Sequence, residues 1–160
     1  MFWIILIFGL IHLLLSCIAF FHIRNSDDKI GFVYRCAFLL GDFIWEDVFV
    51  FSGFTFLVAM FLLVVHDIRF GLVIFAIFWI VRCMGETLYF FFQQFHKPTH
   101  FPHAIGPQLG EFFGILFGKI SDQKAYILMQ VFHQVLTMIA ATVLVFVLKY
   151  WDSIPPWFNF

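Results

Sequence analysis

The stretch Phe43–Phe92, FIWEDVFVFSGFTFLVAMFLLVVHDIRFGLVIFAIFWIVRCMGETLYFFF, carries the reading of the fold. Two apolar runs, about 43–65 and 70–92, flank the four residues His66-Asp67-Ile68-Arg69. A hydrocarbon core of about 30 Å needs about 20 apolar residues at about 1.5 Å rise per residue. Each run meets that length as a helix. The joint between them is too short for anything but a tight antiparallel hairpin.

Working outward, the same criterion finds a first helix at about 2–23, interrupted only by His12 and Ser16, and a fourth at about 126–149. The first lacks a basic leading segment, its apolar run is too long for a signal-peptide core, and no small-residue cleavage site follows. It reads as a retained helix. Pro155 and Pro156 stop the fourth from continuing. Two segments are too short to cross. Residues 30–40 read as an interfacial helix or packed loop. Residues 105–120 place Gly106, Gly110, Gly114 and Gly118 on one smooth ridge suited to close helix approach. With Glu111 and Lys119 in it, this second segment reads as a half-inserted or surface helix docked on the bundle. The expected fold is therefore all-α: a polytopic membrane protein, a four-transmembrane-helix up-down bundle in one domain, 1–160. A five-segment topology is the alternative.

Composition agrees. Of 160 residues, 63% are hydrophobic and 12% charged, against about 25% charged in soluble domains. A soluble fold could not hide that much apolar surface, whereas lipid solvates it. A net charge of −1, with scattered basic residues, excludes an electrostatic footprint on nucleic acid. Cys17, Cys36 and Cys83 are odd in number and far apart, which fits reduced thiols rather than a disulfide framework. The many phenylalanines suit lipid-facing and partner-facing surfaces, so the expected partners are the bilayer and either further copies of this chain or a membrane complex.

Orientation follows from basic residues. Arg24, Lys29, Arg35, Lys97, Lys119 and Lys124 lie in the first and third connections, while Arg69 and Lys149 flank the other side. The positive-inside rule then places connections 24–42 and 93–125 in the cytoplasm and both termini outside. Trp3, Trp151 and Trp157 would join an outer aromatic belt, and Trp45 an inner one.

Polar residues within such helices are expensive, so their positions are informative. On the third helix Arg82, Glu86, Tyr89 and Gln93 share a face; on the fourth Gln130, His133, Gln134 and Thr137 do. Counted from the inner side at helical rise, Arg82, His12 and Thr137 lie about 16 Å deep, Glu86, His133 and Ser16 about 10 Å, and Glu46 and Asp47 about 5 Å. All the polar chemistry then gathers in the inner leaflet. The expected ligand-binding residues are Glu46, Arg82, Glu86, Gln130, His133 and Gln134, serving a small polar molecule, an ion or a lipid headgroup. Against this stands a structural reading, in which Arg82–Glu86 is a four-residue ion pair that makes its helix insertable, and Glu46 and Asp47 are acids at a helix N-terminus.

A second function class is a membrane metalloenzyme on a lipid-soluble substrate. His96, His100 and His103 have spacing that can ligate Zn, Fe or Cu, with Glu86, Glu111 or His133 completing the shell. Pro98 and Pro102 disfavour a regular helix there, and solvated loop histidines are the plainer reading. Haem between His12 and His133 is disfavoured by their difference in depth. A third class is a structural or assembly subunit. The chain has no Cys-x-x-Cys, no phosphate-binding Gly loop and no Gly-x-Ser-x-Gly, which removes support for thiol–disulfide, nucleotide-hydrolysing and serine acyl-transfer chemistry.

Overall fold

The computed structural model describes residues 2–25, 45–95 and 117–156, together with the backbone but not the side chains of Glu46 and Asp122. Among these residues the chain is all-helical, with no strand. α1 is Phe2–Asn25, α2 Trp45–Val65, α3 Ile68–Gln93 and α4 Asp122–Lys149, followed by a 3₁₀ turn at Trp151–Ser153. All four helices are long and apolar enough to cross a membrane. They are apolar around most of their circumference, as expected where lipid rather than water is the solvent. Val64 is 78% exposed and Met138 69%. Among the described residues the outward faces carry Leu, Ile, Val and Phe.

Helix boundaries differ from the hydropathy reading where side chains cap the ends. α3 starts before Phe70 because Asp67 Oδ1 accepts the amide of Arg69 at 3.0 Å, supplying one acceptor to the orphan donors of the first turn. α4 begins before Tyr126. There Ser121 Oγ accepts the Lys124 amide at 3.4 Å, and the Ser121 carbonyl accepts the amide of Ala125. Apolar periodicity does not register a cap, so it placed both starts late. The interfacial segment 30–40 and nearly all of the glycine ridge lie outside the described residues. Of the ridge, Gly118 is described, turning the chain with φ +74°, a conformation natural to glycine.

The helices form two compact units: Met1–Phe75 with Phe146–Phe160, and Ala76–Val145. In the first, α1 and α2 run antiparallel through small residues. A β-carbon at Gly9 would lie 3.0 Å from Ala59 Cβ and from Met60 Cε. Ser16 Oγ donates to the Phe49 carbonyl at 3.2 Å, with Gly53 facing the same hydroxyl. His22 stacks on Trp45, 4.3 Å between ring centres. Ser52, Thr55 and Ala59 are buried along α2. Close backbone approach through small residues, with a hydroxyl bonding across, is how helices associate when lipid removes any hydrophobic preference between them.

The α2–α3 corner is the expected tight hairpin, built on His66 at φ +58°. Leu62 covers Gly71, and Phe61 and Phe54 meet Phe70 and Phe75 edge-on. Arg69 forms a forked pair with Asp67, 2.6 Å at its shortest, and donates to the Trp151 carbonyl at 3.0 Å. Its guanidinium also lies 4.8 Å from the Trp151 ring centre. The hydrogen bond from Arg69 holds the Asp67 carboxyl below the usual aspartate range. Arg69, counted in the sequence as a flanking charge, is thus neutralised within its own corner, and Trp151 packs on Arg69 and Phe70.

Candidate functional site

The second unit holds the Arg82–Glu86 ion pair and one buried histidine. Along α3, Arg82 and Glu86 are four residues apart, and Arg82 Nη2 reaches Glu86 Oε1 at 3.0 Å. Glu86 is 8% exposed. On α4, His133 is 1% exposed and seated between apolar neighbours. Phe90 stacks on its ring at 5.4 Å and Phe132 meets it edge-on. Phe90 also packs beside Tyr126. Cys83 and Met129 are fully buried in the same unit.

The hydrogen bonds define the tautomer of that imidazole. His133 Nδ1 lies 2.8 Å from the Met129 carbonyl. A carbonyl can only accept, so Nδ1 carries the proton and Nε2 presents a lone pair in the neutral ring. Nε2 is buried and has no hydrogen-bond partner. The hydroxyls of Thr87 and Tyr89 on α3 are buried without one too. Below this level Gln94 Nε2 donates to Gln130 Oε1 across the two helices, and also to the Phe90 carbonyl at 3.3 Å. Thr137 Oγ1 returns a hydrogen bond to the His133 carbonyl at 2.8 Å.

Of the residues expected to form the site, Arg82, Glu86, Gln130 and His133 belong to this unit. Gln134 belongs to it as well but is exposed, one helical step round from buried His133. Glu46 is on α2 in the other unit and its side chain is not described. His96, His100 and His103, and with them Glu111, lie outside the described residues. Among those that are described, no group of three or more His, Cys, Asp or Glu is placed to hold a metal.

Sequence reasoning missed Gln94 and Phe90. Gln94 sits one position beyond the polar stripe ending at Gln93, yet it is Gln94 that bridges to α4. The signal was the four-residue spacing from Phe90 and the eleven from Cys83, an apolar face rather than a polar one. Comparison of the chain with protein-family models, curated proteins and solved structures gives no match.

Proposed function

We propose that the chain is a multi-pass membrane protein of one integral domain, with its termini outside and its two longer connections in the cytoplasm. In this reading it binds or transports a small polar molecule, ion or lipid headgroup. Arg82 and Glu86 present charge to the ligand, Gln130 and His133 supply hydrogen bonds, and oligomerisation completes the pathway wall that four helices make thin. The observation that supports this best is the gathering of an ion pair and a buried histidine with an unpartnered ring nitrogen in one unit of a chain that is 63% hydrophobic. Intramembrane ionisable groups mark functional sites by default, because each costs insertion energy.

The discriminating variant is Arg82→Leu combined with Glu86→Leu. Removing both charges leaves neither one buried alone, and replacing a buried pair by apolar residues is often neutral for stability. The double variant is expected to fold. Its response to short-chain lipids with phosphatidic acid, phosphatidylglycerol and phosphatidylcholine headgroups should be lost, read as the rise in unfolding temperature that saturating ligand gives. A ligand at about 100 times its Kd stabilises by about 2.7 kcal/mol. If the double variant keeps the response of the unmodified chain, the pair serves insertion and assembly only, and the structural-subunit reading takes its place.

A further inference from the structure

The polarity of the orphaned atoms narrows the ligand. In the neutral ring His133 Nε2 is an acceptor, because Nδ1 is committed to donating to the Met129 carbonyl at 2.8 Å. With the whole residue 1% exposed, water does not reach that lone pair from the surface. Leaving a buried acceptor unmade costs about 1–3 kcal/mol, and native interiors seldom retain such a group without a reason. Tyr89 has the opposite orphan, a buried O–H. It follows Arg82 and Glu86 on the same stripe of α3 and adjoins Phe90, the ring that stacks on His133.

A phosphate dianion or a carboxylate offers only acceptors, so against Nε2 it would set lone pair against lone pair. A hydroxyl both donates and accepts. Phe90, Met129 and Phe132 around the imidazole favour an apolar body behind the polar atom. We propose that the ligand of this site is an amphiphile with an uncharged hydroxyl headgroup, an alcohol or phenol on an apolar body. Its O–H donates to His133 Nε2 and its oxygen accepts from Tyr89. The inference rests on the reading of α3 and α4 as a ligand site, and it selects one chemical class within it.

The test uses the full chain in lipid nanodiscs with three probes of equal chain length: 1-hexadecanol, hexadecyl phosphate and hexadecane. Two signals are read, the unfolding temperature and the nitrogen-15 resonances of labelled histidine. Hexadecanol is expected to raise the unfolding temperature saturably and to shift the Nε2 resonance of His133 toward a hydrogen-bonded value, while hexadecane does neither. His133→Phe keeps a ring against Phe90 and removes the acceptor. It should fold at least as well as the unmodified chain and lose hexadecanol binding by about tenfold or more, the size of one hydrogen bond. Tyr89→Phe should weaken hexadecanol severalfold with little effect on the unliganded fold.

Tighter binding of hexadecyl phosphate than of hexadecanol, lost in the Arg82→Leu/Glu86→Leu variant, would overturn the hydroxyl inference and leave the site reading intact. A Nε2 resonance already at its hydrogen-bonded position before any probe is added would assign the nitrogen to a buried water and overturn it. Stoichiometric zinc, iron or copper that disappears in His133→Phe would overturn it in favour of metal ligation. No response to hexadecanol or hexadecyl phosphate, together with none to the short-chain headgroup panel, would remove the site reading as well.

Discussion

Replacing Gly9 by Ala adds one methyl group where α1 packs tightly against α2. That carbon would stand 3.0 Å from Ala59 Cβ and 3.0 Å from Met60 Cε, whereas carbon atoms prefer about 3.5–4.0 Å. Met60 Cε ends a flexible side chain and can swing aside. Ala59 Cβ is fixed to the α2 backbone, so the helices themselves must part by about 0.5 Å. A gap of that size forfeits about a quarter of each dispersion contact along the seam, and overpacking of this kind costs about 1–3 kcal/mol. Against it, Gly→Ala recovers up to about 1 kcal/mol of helix propensity. The net expectation is a loss of about 0–2 kcal/mol.

Gly85 supplies the internal control, because a β-carbon there would meet nothing within 4 Å. Gly85→Ala should gain up to about 1 kcal/mol from the same propensity term. The two variants differ by one methyl group each, in helices of similar kind, and should separate by about 1–3 kcal/mol. Equilibrium unfolding of the detergent-solubilised chain, titrated with a denaturing detergent, measures both. Equal stability of the two variants, or a Gly9→Ala chain the more stable of the pair, would refute the close-approach argument.

Two further outcomes follow from the first unit. Hydrogen bonding to Arg69 holds the Asp67 carboxyl low, so its contribution is fully present above the ordinary aspartate value of about 3.9 and is lost as pH falls through the lower folded value. The unfolding midpoint should therefore drop on acidification below about pH 4, and Asp67→Asn should flatten that limb of the profile while lowering stability at neutral pH; an unchanged acid limb in the variant would show the pair to be idle. Ser16→Ala removes the hydroxyl that donates to the Phe49 carbonyl at 3.2 Å, and interhelical bonds of this kind average about 0.6 kcal/mol in membrane proteins. A loss above about 2 kcal/mol in the same unfolding titration would assign Ser16 more than this one bond.

How much was legible in advance depended on whether a feature is written locally. The four long apolar helices were legible because helix length and hydropathy are properties of consecutive residues, and the α2–α3 hairpin because four residues leave a chain no other route. The Arg82–Glu86 contact was legible for the same reason, since helical spacing alone brings residues four apart together. The caps at Asp67 and Ser121 were visible as residue types but silent in a hydropathy reading, which is why α3 and α4 begin earlier than expected. Arg69 looked like a free flanking charge because its partner of longest range, the Trp151 carbonyl, is far along the chain.

Burial within a helix pair separates neighbours that a stripe drawn on one helix groups together. Gln130, His133 and Gln134 read as one polar face, yet packing buries His133 beneath Phe90 and leaves Gln134 exposed. The stripe ending at Gln93 missed Gln94, whose partner Gln130 is supplied by another helix. The sequence by itself thus determined that this chain is built of helices long and apolar enough for a membrane, and which polar residues interrupt them. Only tertiary structure decided which of those polar atoms are satisfied and which stand buried with a lone pair or a proton to offer, because a hydrogen bond between helices is set by their register and rotation.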